Sequence, residues 1–245
     1  MESTVNRSRI QRVRYELRRR DVEVSAVRPL GENFISITFR GEALADFESA
    51  SFDDHIKFMF TTAEGEEVRR DYTPRRFDRA RGELEIEFAL HATGRAADWA
   101  RQARVGQRAV IAGPRGSMII PMDYAWHLLV GDSSALPAMR RRTEELPAGA
   151  RVWIIAQADA AADRLPFAGA ARADVHWVDS TTALLDAAQG FTLPEGEGFI
   201  WAAGESASMQ RLRAHFVDVK HHPREALRVA AYWKPGAEGF HEHLD

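Results

Sequence analysis

The segment Arg70-Asp71-Tyr72-Thr73-Pro74-Arg75 carries the sharpest chemical signal in the chain. A flavin needs an aromatic face against its ring, a hydroxyl near its reactive edge and a guanidinium for its phosphates. Arg-x-Tyr-Thr on one strand supplies all three, because alternation puts Arg70 and Tyr72 on one face and turns Thr73 to the other. Arginine suits phosphate because its planar fork donates two parallel hydrogen bonds. The same hexapeptide also describes a surface strand with a half-buried tyrosine, so on its own it leaves both readings open. Two turns add to it. His91-Ala92-Thr93-Gly94-Arg95-Ala96-Ala97-Asp98-Trp99 reads as a small-residue turn opening a helix, where free N–H groups favour a pyrophosphate. Ala112-Gly113-Pro114-Arg115-Gly116-Ser117 is a further glycine-rich turn after a strand, and it also fits a plain barrel-closing turn.

The chain of 245 residues contains no cysteine. That removes disulfides, thiolate nucleophiles, iron–sulfur clusters and cysteine-type zinc sites together. Redox chemistry would therefore need a bound organic cofactor. Net charge is −3, which gives no general case for nucleic-acid binding. Seven arginines and two glutamates fall within residues 1–20, a run that reads as a solvated basic segment or a first helix beside the domain. No apolar run follows them to make a secretory signal, and no stretch reaches the 18 or so residues of a membrane span. The expected compartment is the cytoplasm, with no membrane insertion.

The elements that must position these residues change rhythm at mid-chain. Residues 34–39, 55–60 and 83–90 read as short strands; in the last, Leu84, Ile86, Phe88 and Leu90 face inward and Glu83, Glu85 and Glu87 outward. Turn signals between them point to an antiparallel barrel or sandwich. In the second half, apolar strands at 126–130, 151–156, 199–203 and 227–233 alternate with helical patterns at 135–146 and from Met209 to Val219. Such alternation indicates an open parallel α/β sheet. The expected plan is a six-stranded Greek-key β-barrel over 21–120, after the basic segment 1–20, followed by an α/β nucleotide-binding domain over 124–245.

Several blocks occur in the order of one known family. They are Asp54-His55-Ile56-Lys57-Phe58, Arg70-x-Tyr72-Thr73-x-Arg75, Gly94-x-Ala96 with Trp99, and Ala112 to Ser117. Gly131-Asp132-Ser133-Ser134-Ala135-Leu136-Pro137-Ala138, Trp201-Ala202-Ala203-Gly204-Glu205 and Tyr232-Trp233-Lys234 follow. From about Val22 to Trp233 the chain resembles the siderophore-interacting proteins, FAD-dependent ferric-siderophore reductases on a ferredoxin reductase-like plan. The resemblance implies that FAD is held by Arg70, Tyr72, Thr73, Arg75, His91, Gly94, Arg95, Ala96, Ala97, Gly116 and Ser117. It further implies that Lys57, Arg115 and Lys234 receive the anionic ferric siderophore, with a catecholate fitting three cations best. NAD(P)H is implied at Gly131, Asp132, Ser133, Ser134, Gly204 and Glu205, and a reduced ferredoxin is the other donor. Asp132-Ser133-Ser134 replaces the superfamily's usual Gly-Thr-Gly and leaves a weaker phosphate cradle. Arg95 stands where the family commonly has proline, and Lys234 where arginine is frequent.

Other readings compete. A non-reducing siderophore-binding module would use the same basic cluster without needing a flavin. Gly131-Asp132-Ser133 with Asp218-Val219-Lys220-His221 also spells the nucleophile and base blocks of a GDS-type serine esterase. His241 and His243 with Glu242 and Asp245 have ligand chemistry, but a frayed terminus is the expectation there, and no metal site is expected.

Overall fold

The computed structural model describes residues 9–90, 94–237, 239–240 and 242–244. The order of elements is β1 (Gln11–Arg14), β2 (Arg19–Pro29), β3 (Phe34–Arg40), β4 (Ile56–Thr61), β5 (Glu67–Tyr72), β6 (Arg76–Asp78), β7 (Glu83–Ala89), α1 (Arg95–Arg101), β8 (Arg108–Ala112) and β9 (Gly116–Ile119). Then follow β10 (Trp126–Gly131), α2 (Leu136–Glu145), β11 (Arg151–Gln157), β12 (Arg172–Val178), α3 (Thr181–Gly190), β13 (Gly198–Glu205), α4 (Ser206–Ala214), β14 (Leu227–Trp233) and β15 (Glu242–His243).

Alternating strands build the first half. Ile56, Phe58 and Phe60 of β4 meet Leu84, Ile86 and Phe88 of β7 and Val22 and Val24 of β2 in one apolar core, with the Trp99 ring of α1 against Phe58. The expected six-stranded barrel is instead a seven-stranded curled antiparallel sheet in the order β5-β4-β8-β2-β3-β7-β6. The extra strand is β6, three residues split from β5 where Thr73-Pro74 interrupts the ladder, and the described residues form no pairing between the two edges. In the second half the order is β12-β11-β10-β13-β14-β15, with the first five strands parallel and β15 added antiparallel. The order reverses between β10 and β13. Ligands of open α/β sheets bind beyond the carboxyl ends of the strands at such a switch point.

The basic segment, in its described part, is neither a tail nor a helix. Strand β1 pairs with β9 from Gln11↔Ile119 to Arg14↔Gly116, and Arg9 holds Asp123 and, at 2.9 Å, Glu197. Arg20 is buried because its guanidinium reaches Gly113 O at 3.0 Å and Asp46 at 2.9 Å. At the C-terminus the described residues 242–244 add an edge strand: β15 pairs with Ala230 and Ala231, and Arg213 Nε donates to Leu244 O at 2.8 Å. Of the histidines considered there, His241 lies outside the described residues. No group of three metal-ligating side chains occurs among the described residues, and no described helix is long and apolar enough to cross a membrane.

The two sheets share a core. Phe34 and Phe52 from the first half pack with Leu136, Met139, Phe199 and Trp201 of the second. Helix α2 lies between them, which is why three consecutive arginines, Arg140, Arg141 and Arg142, are buried. Arg141 donates to Ser49 Oγ and Pro74 O, both at 2.8 Å; Arg142 donates to Pro121 O at 2.8 Å and lies over the Phe52 ring. Asp53 reaches across to accept from Trp201 Nε1 at 2.8 Å and Arg228 Nε at 2.9 Å.

Two buried groups titrate in opposite senses. Burial, with the Arg142 charge beside it, pulls the His127 imidazole from 6.5 down to about 4. As pH falls from 6.5 toward 4, the unfolded chain takes that proton first, so stability is lost on acidification. Burial pushes Asp54 from 3.8 up to about 6, against hydrogen bonds from Ser117 and Ser49. The folded state holds that proton first, so stability is gained as pH falls through the same interval. The two slopes offset one another in the wild type. Asp54→Asn keeps the shape of the protonated acid and removes the gain. Urea titrations of this variant are expected to lose about 2 kcal/mol between pH 6.5 and 4 beyond any loss in the wild type. An unchanged slope would remove Asp54 from the pH account.

Candidate functional site

A cleft of about 840 Å³ opens where the carboxyl end of β5 and the start of α1 face the loops after β10 and β14. That volume lies within the range of small-molecule and cofactor sites. Strand β5 sends Arg70 and Tyr72 into it, with Thr73 at its end. The Tyr72 ring is fixed by Phe88 at 4.4 Å between centroids and by the Phe58 edge at 5.9 Å. Burial pushes the Tyr72 phenol well above its ordinary range, so it stays neutral. Gly94, at φ 157°, opens α1, and a Cβ built there would meet only Ala97 at 3.9 Å. Space above the turn is therefore open to a ligand. An aromatic ring, a hydroxyl, a guanidinium and an open glycine turn around one cleft fit a flavin nucleotide.

Of the residues expected for the flavin, the structure brings Arg70, Tyr72, Thr73, Gly94, Arg95, Ala96 and Ala97 to this cleft. His91 lies outside the described residues. Arg95 extends from α1 to pair with Glu66 at 2.7 Å. The other three go elsewhere. Arg75 is buried in ion pairs with Glu87 at 3.1 Å and Glu144 at 2.6 Å, because the break at Pro74 turns it away from Arg70 and toward α2. Burial would raise the Glu144 carboxyl, but Arg75 and Arg76 overcome it and hold it at about 2. Ser117 Oγ donates to Asp54 at 2.5 Å and meets Tyr15 Oη at 2.9 Å. Gly116 packs so closely on β1 that a Cβ would lie 2.2 Å from Val13 O. Both therefore anchor β1 rather than line the cleft.

Of the three expected substrate cations, one, Lys234, lines the cleft. Lys57, on β4, pairs with Asp71 at 2.7 Å, and Asp71 lines it. Arg115 is exposed on the turn before β9 and does not line it. Of the residues expected for NAD(P)H, only Ser134 lines the cleft. Asp132 is buried, accepting from Ser134 N, Glu205 N and Trp233 Nε1, each at 2.9 Å, so it ties together the loops after β10, β13 and β14. Gly204 must be glycine, since at φ 155° a Cβ would lie 2.5 Å from Asp132 Oδ2. Gly131 has no room either, with Ala135 Cβ at 2.5 Å. Glu205 caps α4 through Ala207 N and Ser208 N at 2.8 Å; burial raises its carboxyl, these hydrogen bonds overcome that, and the net value is lowered. Ser133 sits in the short turn between Asp132 and α2.

The esterase reading fails on distance. His221 lies with Trp126 at the start of β10, and Ser133 lies beyond its far end, roughly 17 Å away at about 3.3 Å per strand residue. Pattern reading missed Glu87, expected to face solvent, and the tail residues Pro235, Gly236, Ala237, Gly239 and Phe240 that line the cleft. The strict alternation of β7 carried no sign that its outer face meets α2.

Comparison with known proteins fits this geometry. The family model described as siderophore-interacting protein matches residues 124–236, and that of the siderophore-interacting FAD-binding domain matches 23–69 and 61–118. A relative from Escherichia coli (strain K12), NADPH-dependent ferric-chelate reductase, is 36% identical over 91% of this chain and 96% of its own. The chain belongs to the siderophore-interacting protein family. Among solved structures, a siderophore utilization protein from T. fusca superposes with a TM-score of 0.89 at 29% identity, covering 96% of this chain and all of that one (100%). The ferredoxin reductase of carbazole 1,9a-dioxygenase matches at a TM-score of 0.62 and 19% identity, over 87% of this chain and 69% of that one. At that identity it shows the shared ferredoxin reductase-like fold alone.

Proposed function

We propose that this member of the siderophore-interacting family is an FAD-dependent ferric-siderophore reductase, taking electrons from NAD(P)H and releasing iron as Fe(II). The observation that carries the reading is the single cleft in which Arg70, Tyr72 and Thr73 face Ser134 and Lys234 from the other half. Residues 21–120 would hold the flavin and 124–245 the electron donor, in the cytoplasm where reduced nicotinamide nucleotides are made. The chemistry FAD supplies when bound is the division of a two-electron hydride into single electrons, each reducing one Fe(III). Tyr72 gives the ring a rigid face, and Arg70 and the Gly94 turn hold the phosphates. Lys57, Lys234 and Arg115 draw the substrate to the rim. A ferric tris-catecholate is trianionic, which suits a basic rim, and oxygen chelators hold Fe(II) far less tightly than Fe(III).

Purified flavin-loaded protein, mixed anaerobically with a hexadentate ferric tris-catecholate and an Fe(II)-trapping dye, is expected to develop colour with NADPH or NADH. A parallel arm with reduced ferredoxin distinguishes the donor. Bound flavin without colour above the protein-free control in any arm would overturn the reductase and leave a non-reducing binding module. Lys57→Ala is expected to raise the KM for the tris-catecholate about tenfold, with visible flavin absorbance kept. Loss of flavin at unchanged KM would refute its assignment to the substrate.

A further inference from the structure

Among the described residues, the cleft is lined by three cations, Arg70, Arg95 and Lys234, and three carboxylates, Asp71, Glu87 and Asp98. These formal charges cancel, so the pull on a polyanion depends on how each carboxylate is held. Glu87 is bound by Arg75 and Arg140 behind the cleft, and Asp98 by Arg101 at 2.7 Å. Asp71 differs. Its carboxylate holds Lys57 at 2.7 Å, directly across the β4–β5 ladder, where Lys57 and Asp71 are register partners. Asp71 is 16% exposed and Lys57 47% exposed, so the pair sits at the rim with its ammonium toward solvent.

On the reading of the site as a ferric-chelate reductase, we propose that Asp71 is a specificity-determining residue that sets the charge of the chelate accepted. Its carboxylate competes with the substrate for Lys57. A trianionic chelate draws on the ammonium three times as strongly as a single carboxylate at equal distance, and so takes it over. A neutral ferric tris-hydroxamate gains nothing by displacing Asp71. The carboxylate also repels any anion that arrives, in proportion to its charge, so its net effect is to weaken anionic chelates and to spare neutral ones. Selectivity of this kind is a difference of affinities produced partly by a repulsive element.

The test is a pair of binding titrations on flavin-loaded protein, read by quenching of tryptophan fluorescence without any electron donor. Trp233, 40% exposed at the cleft, supplies a reporter. The probes are a hexadentate ferric tris-catecholate and a neutral hexadentate ferric tris-hydroxamate. Asp71→Asn is expected to tighten the tris-catecholate about tenfold at low salt, with the gain shrinking as ionic strength rises. The tris-hydroxamate constant should move less than twofold. In a Lys57→Ala background the gain from Asp71→Asn should drop below threefold, because the contested cation is gone. Tris-catecholate affinity that is unchanged or weakened by Asp71→Asn, or equal tightening of both chelates, would overturn the inference alone. Wild-type protein that binds neither chelate would overturn the reductase reading and this inference with it.

Discussion

Replacing Arg70 with alanine is expected to yield a protein that purifies without flavin and is colourless. Arg70 pairs with Phe58 across the β4–β5 ladder and projects on the same side as Tyr72, into the cleft. Its Nη1 donates to Arg69 O at 2.9 Å, which steadies the guanidinium along the end of the strand. A fork held this way can give two parallel hydrogen bonds to a phosphate, and charged hydrogen bonds contribute about 1.5–3 kcal/mol each. Losing two therefore weakens flavin binding by two to four orders of magnitude at about 1.4 kcal/mol per tenfold. Arg70→Lys keeps the charge but not the fork, and should retain part of the flavin. The check is the ratio of visible flavin absorbance to protein absorbance after purification, and a full flavin content in Arg70→Ala would remove Arg70 from the phosphate site.

Why Arg70 could be singled out from sequence and Arg75 could not be placed has a physical answer. Alternation along β5 fixes the face of Arg70 and Tyr72, but the ladder breaks at Pro74, and beyond a break the period of two carries no information about direction. The same contrast runs through the fold. Strands β4 and β7 and the parallel strands β10, β11, β13 and β14 were legible because apolar side chains record burial. Strand β1 was not, because its residues are all exposed and its order comes from backbone pairing with β9. Strand β15 adds by backbone bonds for the same reason. The buried arginines of α2 mislead any reading that equates charge with solvent, since each finds an acceptor or an aromatic face across the boundary between the halves. Of the cleft, the aromatic, hydroxyl and glycine positions were legible as local motifs. Asp71 and Glu87 were hidden, because what defines them is a partner on another strand or helix.

Glu87→Ala is expected to cost more stability than any single change at the cleft surface. Glu87 accepts from Arg75 Nε at 3.1 Å and from Arg140 Nη2 at 2.5 Å, and the Glu87 and Arg140 side chains are each 5% exposed. Arg75 keeps Glu144 when Glu87 is removed. Arg140 does not fare as well: its Nε and Nη1 already meet no protein acceptor, so the truncation strands a buried guanidinium with no anion. Breaking a buried pair from one side costs about 3–5 kcal/mol, whereas replacing both partners with apolar groups is often neutral. For a chain of this size the single change should lower Tm by about 10 °C. Glu87→Gln, which keeps an acceptor, should lose about half as much, and Glu87→Leu combined with Arg140→Met should recover most of the loss. Thermal unfolding of the three variants checks this, and a Glu87→Ala protein within 2 °C of wild type would show that Arg140 finds water instead. Glu87 also lines the cleft while gripping α2, so the same substitution loosens one half of the proposed flavin site against the other. Faster flavin release from Glu87→Ala than from the apolar double variant would tie domain anchoring to cofactor retention.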